Sequence, residues 1–185
     1  MLGESPNADV DERIEADYHA MKAWLPEVAT DILDIGCGFP RIDVWLARHY
    51  GGGVNLHLMD GDKDNRHLKG AGFHQYATKP YKSRHIAAKY LRKELPDCGV
   101  YDYPPDQRLT IPCDLIISRR AWGHHFPVAT YLPLAERSLR PGGRIILDIR
   151  VHRETANALT ARGFKILADD LEVRSYKSKR LVLSR

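Results

Sequence analysis

The chain of 185 residues is poor in cysteine and has no long apolar run. Its three cysteines are widely spaced and contain no CxxC pair, which excludes a disulfide framework and a zinc knuckle. No stretch approaches the roughly 18 apolar residues of a membrane span, and the acidic start over 1–17 lacks the features of a signal peptide. We therefore expect a cytoplasmic protein with reduced thiols and no membrane partner.

Neither positively nor negatively charged residues are in large excess. Lys and Arg number 28 against 24 for Asp and Glu, which gives a formal charge of +4. An excess this small does not by itself indicate a nucleic-acid or membrane partner. Hydrophobic residues make up 43% of the chain, enough for the core of one domain. We expect a single domain over 1–185, in which an N-terminal helix within 1–27 covers a core formed by 28–185.

Strand-like and helix-like patterns alternate along that core. Short apolar runs that end at Gly or Asp are typical of buried strands, and amphipathic stretches between them are typical of helices. The patterns predict strands over 31–36, 54–60, 98–103, 113–118, 164–168 and 180–184, a tight turn into a further strand within 140–150, and helices over 10–25, 40–51, 81–95, 130–139 and 154–162. This order predicts an α/β fold: a doubly wound, mostly parallel seven-stranded sheet with helices on both faces and an antiparallel C-terminal strand.

The polar residues that follow the predicted strands are the candidates for function. In a doubly wound sheet, ligands bind beyond the carboxyl ends of the strands. Gly36 and Gly38 follow the first strand and allow a sharp turn with close backbone approach, while Asp60 ends the second strand and is placed to accept hydrogen bonds from a ribose diol. The residues after the fourth strand are Ser118, Arg119, Arg120, Trp122, His124 and His125.

Four segments resemble the motifs of the class I S-adenosylmethionine-dependent methyltransferases. They are LDIGCG in the first motif, LHLMD in the second, CDLIIS in the fourth, and LRPGGRIILD at the turn and fifth strand. Their order and spacing cover roughly residues 28–185, together with the final strand pair. The resemblance implies a Rossmann-like methyltransferase fold, S-adenosylmethionine as the cofactor and methyl transfer as the reaction.

The resemblance also implies a cofactor site. Asp34 and the glycine loop would hold the amino-acid end of the cofactor, and Asp60 the ribose hydroxyls. Asp102 and Asp106 are both candidates for the acid near adenine, and we favour Asp102. Pro40 stands where the family often has a third glycine. The full expected cofactor site is Asp34, Gly36, Cys37, Gly38, Asp60, Gly61, Asp102 and Ser118.

Catalysis by such a protein requires mainly alignment, and a general base is optional. His124 or His125 is the candidate base, since histidine takes a proton near neutral pH; the alternative is that one of the two is a packing or helix-start residue. Arg119, Arg120 and Trp122 are the candidate substrate contacts, with the two arginines suited to an anionic substrate or, alternatively, gripping neighbouring acids. We expect no metal, because adjacent histidines lack ligand spacing.

The acceptor of the methyl group is open at this stage. We expect an oxygen or nitrogen of a small or sugar-like molecule, in a pocket formed by 61–79, 119–126 and the N-terminal helix as a lid. An RNA methyltransferase is the alternative, with the basic helix and the basic C-terminal region contacting phosphates. A non-catalytic binding module is a third possibility. The residues after the fourth strand, SRRA, argue against a DNA amino-methyltransferase. Cys113, at the start of that strand, is expected to be a core thiol.

Overall fold

The computed structural model describes residues 8–61, 83–106, 108–150, 152–172 and 178–185. The predicted pocket loop lies outside these ranges except for Gly61, and so do the start of the predicted basic helix and residues 173–177 of the polar connection before the last strand. The elements in chain order are α1 (Ala8–Lys22), β1 (Asp31–Ile35), α2 (Arg41–His49), β2 (Asn55–Met59), α3 (Arg84–Glu94), β3 (Gly99–Tyr103), β4 (Cys113–Ser118), α4 (Leu132–Ser138), β5 (Leu139–Ile149), α5 (His152–Thr160), β6 (Lys165–Glu172) and β7 (Lys179–Ser184).

Two boundaries near the middle of the chain differ from the prediction. Val128–Thr130 forms a separate 3₁₀ turn, so α4 begins at Leu132 with a proline in its first turn. The predicted turn before the fifth strand is instead part of β5, which begins at Leu139. Gly142, with φ of 80°, provides the backbone freedom that this irregular start of the strand requires.

The strands of the described residues form one sheet in the order β3-β2-β1-β4-β5-β7-β6. The first five strands in this order pair in parallel, and β7 is antiparallel to both β5 and β6. The chain runs outward from β1 to β3 and then returns to place β4 on the other side of β1. The expected doubly wound sheet with an antiparallel C-terminal strand is thus confirmed, and its switch in strand order lies between β1 and β4.

Successive residues of each central strand point to opposite faces of the sheet. In β1, Ile32 packs in a cluster with α1, α2 and α3, whereas Leu33 packs in a second cluster with α4 and α5. Helices therefore cover both faces, as the alternating pattern predicts. Cys113 lies in the second cluster as a buried thiol, and all three cysteines are free. Over the part of the chain that the structure describes, no helix is long and apolar enough to span a membrane.

Candidate functional site

The glycine turn after β1 is held from two sides. The N–H of Gly36 donates to the carbonyl of Met59 at 2.7 Å, which ties the turn to the end of β2. On the other side, a Cβ at Gly36 would lie 2.1 Å from the Cβ of Ala121, after β4. Gly36 and Gly38 both have positive φ, 77° and 53°. Conformation and lack of space thus both demand glycine at position 36, and the backbone of the turn stays bare.

Asp60 closes the same turn. One of its carboxylate oxygens accepts the N–H of Gly38 at 2.7 Å, and the other accepts the N–H of Gly61 at 2.7 Å. Asp60 therefore fixes the shape of the turn at the carboxyl edge of the sheet.

Asp34 near the end of β1 faces a second acid that the sequence reasoning missed, Asp43 on α2. The two residues are only 3% and 1% exposed, and they lie close enough for the charge of Asp43 to act on Asp34. Burial, reinforced by the charge of Asp43, raises the pKa of Asp34 well above its usual range. Burial likewise raises the pKa of Asp43 to about 7. The pair therefore holds a proton near neutral pH instead of two negative charges.

One signal in the sequence could have revealed Asp43. It is the third residue of α2, and it shares a helix face with Leu46 and Ala47 at spacings of three and four residues. All three are buried in the structure. An acid in line with the apolar face of a helix directly after a glycine turn is therefore the pattern to look for.

Ser118 and Trp122 organise the segment after β4 from inside the protein. The Ser118 hydroxyl donates to the carbonyl of Ile35 at 2.7 Å and accepts the N–H of Trp122 at 2.9 Å. Both residues are fully buried, and the indole N–H donates to the carbonyl of Val128 at 2.6 Å. These positions do not support the expected direct contacts of Ser118 with a cofactor and Trp122 with a substrate, because neither side chain reaches the surface of the site.

The two histidines pack against each other with their ring centroids 4.6 Å apart, edge to face. Their backbone N–H groups both approach the carbonyl of Ala121, at 3.3 Å for His124 and 2.9 Å for His125. Burial, with His125, Arg150 and Arg120 nearby, lowers the pKa of His124 to about 4. Burial and the same two arginines also lower the pKa of His125. Both rings are therefore neutral at pH 7, and the low pKa of His124 makes it a weak base.

His124 stands out because its two ring nitrogens are buried without a hydrogen-bond partner, although the residue as a whole is only half-buried. Both ring nitrogens are inaccessible to solvent, and neither has a hydrogen-bond partner among the described residues. A neutral imidazole carries one N–H donor and one acceptor, and leaving both unused is costly in a folded protein. This ring has the polar capacity that a substrate group could satisfy.

Helix α1 is tied down at the carboxyl edge of the sheet through Asp17. The carboxylate of Asp17 pairs with Arg119, and its backbone carbonyl accepts a hydrogen bond from Arg180 at 3.3 Å. Arg180 is 1% exposed and forms a two-pronged pair with Asp148, at 2.7 and 3.0 Å. Arg119 thus grips a neighbouring acid, as the alternative interpretation expected, while Arg120 is exposed.

Asp102 faces α3 from within β3. Its carboxylate lies 2.6 Å from a ring nitrogen of His85, 3.5 Å from Arg84 and 3.6 Å from Arg92. Because three basic side chains contact the Asp102 carboxylate, this placement does not support a contact with adenine. Asp106 lies after the end of β3, where hydrogen bonds from Arg108 lower its pKa to about 2.

Comparison with known proteins adds evidence at the level of the fold. No family model and no curated protein matches the chain. A solved S-adenosylmethionine-dependent methyltransferase from Mesorhizobium loti is 19% identical, with a TM-score of 0.64 over 92% of this chain and 98% of that chain. A methyltransferase from Pyrococcus furiosus is 14% identical, with a TM-score of 0.60 over 92% of this chain and 82% of that chain.

A third neighbour is a chain from the complex between the Haloferax volcanii Trm112 methyltransferase activator and a protein described as a methyltransferase. It is 15% identical, with a TM-score of 0.65 over 96% of this chain and 94% of that chain. The fold is that of the class I S-adenosylmethionine-dependent methyltransferases. S-adenosylmethionine is the cofactor expected for this methyltransferase fold, since the Mesorhizobium loti protein and a further neighbour from Listeria monocytogenes are described as dependent on it. The activator in that complex is a partner of the Haloferax protein.

The residues at the carboxyl edge of the methyltransferase fold suit that cofactor. Asp60 provides acceptors for hydroxyl groups, and the bare backbone at Gly36 allows close approach. No trio of His, Cys, Asp or Glu within the described ranges is arranged to hold a metal ion.

Proposed function

We propose that this protein is an S-adenosylmethionine-dependent methyltransferase. The proposal is carried by three contacts of the glycine turn at the switch point. Gly36 is hydrogen-bonded to Met59 and packed against Ala121, and the Asp60 carboxylate accepts the N–H of Gly38. A bare glycine turn beside an acid is a binding geometry, and a fold without a ligand at this edge has no need of it.

The chain's own residues would bind and orient the cofactor, which when bound supplies a methyl group on a positively charged sulfur. Asp34 would face its amino-acid end, and Asp60 would accept hydrogen bonds from its ribose. The backbone between Gly36 and Gly38 would lie against it. These contacts would contribute by alignment, which accounts for much of the rate enhancement in a direct transfer between two bound molecules.

We propose an oxygen or nitrogen of a small molecule as the methyl acceptor. Helix α1 is anchored over the carboxyl edge through Asp17, which favours an enclosed acceptor site from which water is excluded. Arg120 and Arg150 lie close enough to the two histidines to lower their pKa values, which favours an acceptor with a negatively charged group. The neutral ring of His124 would hydrogen-bond the acceptor's hydroxyl or amine and fix its orientation.

RNA as the acceptor receives less support from α3 than its basic sequence suggests. Arg84 and Arg92, two cations of the predicted basic helix, contact Asp102. Arg92 also donates to the carbonyl of Val100 at 2.8 Å. Side chains engaged in this way hold α3 against β3, and they are less available to phosphates than solvated lysines would be.

The first test is isothermal titration with S-adenosylmethionine and S-adenosylhomocysteine, on the protein and on Asp60→Ala. We expect Asp60→Ala to weaken binding by about 1–3 kcal/mol, the cost of losing hydrogen bonds to a partly buried carboxylate. Asp97→Ala is the control, because Asp97 is exposed in the turn before β3. No binding by folded, ligand-free protein would overturn the enzyme proposal in favour of a non-catalytic module.

The acceptor class is tested separately with cofactor that carries a radiolabelled methyl group. The protein is incubated with a small-molecule extract or with total RNA, and the label is followed in each fraction. Label in small molecules, reduced in His124→Ala, supports the proposal. Label in RNA, with binding that weakens steeply as salt rises, would replace it with the RNA alternative.

A further inference from the structure

A cavity of about 400 Å³ lies between α1, α2 and α3, the helices on one face of the sheet. Its volume is within the range of sites that hold small molecules, roughly 300–1,000 Å³. The residues of the glycine turn, Gly36 and Gly38, do not line it, and neither does Asp60, so it is separate from the proposed cofactor site. Its apolar side is formed by four residues from the three helices: Ile14, Val44, Trp45 and Tyr90.

The two aromatic rings of the cavity are held in place by neighbours that lie outside it. The Trp45 indole on α2 stacks on Tyr18 of α1, with ring centroids 5.2 Å apart and an angle of 24° between the planes. Tyr90 on α3 contacts the ring of Phe39, with centroids 4.6 Å apart. Both Trp45 and Tyr90 are nevertheless only half-buried. Fixed aromatic surface of this kind attracts cations as well as apolar groups, because the face of each ring carries partial negative charge.

The charged residues of the cavity are mainly acidic. Asp11 pairs with Arg41, which removes one acid and one cation from the balance. The remaining set is three glutamates, from α1 and α3, against one arginine of α2. In a chain with a formal charge of +4, this negative excess belongs to the cavity and not to the protein as a whole. The charged lining residues are Asp11, Glu12, Glu15, Glu94, Arg41 and Arg48.

We propose that this cavity is a binding site for a small organic cation, a molecule with an ammonium or guanidinium group on an apolar body. The apolar body packs against Trp45 and Tyr90, and the cationic group is attracted both by the rings and by the surrounding glutamates. An anion of the same shape is repelled by that charge, and a neutral molecule gains only the apolar contact. The inference does not depend on the proposed methyl transfer, because it uses none of the residues of the cofactor site.

Three ligands of nearly the same size but different charge test the proposal. They are phenethylamine, which is an ammonium ion at pH 7, phenethyl alcohol, which is neutral, and phenylpropionate, which is an anion. Each is titrated into the unmodified protein in a calorimeter. We expect saturable binding of the ammonium ion, and binding of the alcohol that is weaker by about 5- to 30-fold, as for the loss of a cation–π contact and an exposed ion pair. The anion should bind more weakly than the alcohol.

The double variant with Glu15→Gln and Glu94→Gln locates the bound cation at this cavity. It removes one negative charge from α1 and one from α3 at exposed positions, with little change in the shape of either side chain. Binding of the ammonium ion should weaken by about 5- to 20-fold, as for two partly exposed ion pairs. Binding of the alcohol should be unchanged, so that the preference for the cation is lost.

Glu154→Gln is the matched control. Glu154 is an exposed acid in the first turn of α5, a helix that packs on the other face of the sheet. This variant should bind all three ligands as the unmodified protein does. Thermal unfolding of each variant verifies that it is folded.

Four results would overturn the proposal. Equal affinity for the ammonium ion and the alcohol would show a cavity that selects only for apolar surface. Tighter binding of the anion, or no saturable binding of the ammonium ion below about 10 mM, would contradict the chemical class. A preference for the cation that the double variant leaves intact would place the ligand at another part of the protein. Displacement of the ammonium ion by S-adenosylhomocysteine would place it in the cofactor site, whereas binding at the proposed cavity should persist.

Discussion

Gly36 and Ala121 are separated by 85 positions in sequence, yet the space for a Gly36 side chain is filled by the Ala121 methyl group. A Cβ at Gly36 would lie 2.1 Å from that of Ala121. The contact joins the turn after β1 to the segment after β4, on the two sides of the switch point. Close packing at this place determines both the shape of the glycine turn and the position of the segment that carries His124.

We therefore predict that Gly36→Ala destabilises the protein through a clash as well as through backbone strain. The total cost should be about 2–5 kcal/mol, the sum of strain at positive φ and overpacking. Gly52→Ala is the control, because Gly52 has a similar φ of 79° with nothing within 4 Å of the added Cβ. Denaturant unfolding should show a smaller loss for Gly52→Ala, and Ala121→Gly should restore part of the stability lost in Gly36→Ala. Equal losses in the two single variants would contradict the clash.

The buried pair of Arg180 and Asp148 should be more sensitive to loss of one partner than to loss of both. Arg180→Met leaves the Asp148 carboxylate buried without its two-pronged partner, which typically costs about 3–5 kcal/mol. The double variant with Asp148→Leu removes both charges and should recover much of that stability. The measurement is the free energy of unfolding in denaturant; a double variant less stable than Arg180→Met would show that the pair contributes more than it costs.

The Asp43 carboxyl predicts an unusual dependence of stability on pH. Its pKa is raised to about 7 in the folded protein from an ordinary value of 3.8, mainly by burial. Between these values the folded state binds more protons than the unfolded state, so this group's contribution decreases as the pH rises from about 4 to 7. Asp43→Asn should lack that decrease, and its advantage over the unmodified protein should grow with pH. Asp97→Asn, at an exposed position, should show no such trend in unfolding experiments.

His124 predicts a dependence of the opposite sign. Burial and the neighbouring cations lower its pKa from 6.5 to about 4, so the unfolded state binds more protons between these values. Its contribution to stability is therefore complete above about pH 7 and decreases as the pH falls toward 4. His124→Gln should reduce the loss of stability at low pH, whereas His19→Gln, on exposed α1 surface, should not. Unfolding curves at pH 4.5 and 7 that shift equally for both variants would refute the prediction.

Local patterns in the sequence determined most of the fold. β4 was predicted with the bounds found, Cys113–Ser118, because an apolar run of that length bounded by polar residues has few other conformations. The glycines after β1 and the acid after β2 stand at the carboxyl edge for the same reason, since parallel strands end together there. The boundaries of α4 and β5 differ from the prediction because the prolines and glycines between 127 and 143 allow several local conformations, and the pairing of β5 with β4 selects one.

Only the tertiary structure decided what surrounds each candidate side chain. Trp122 follows a site strand in sequence, but the segment folds back through bonds to the Ala121 carbonyl and buries the ring in the core. Asp102 is an acid of the kind that binds ligands, but its carboxylate contacts basic side chains of α3. Asp43 pairs with Asp34 because α2 packs back over β1 after the glycine turn. Sequence periodicity reports which face of an element is buried, whereas the partner across the interface depends on how separate elements pack, and that partner determines whether a charged group is neutralised or free to bind.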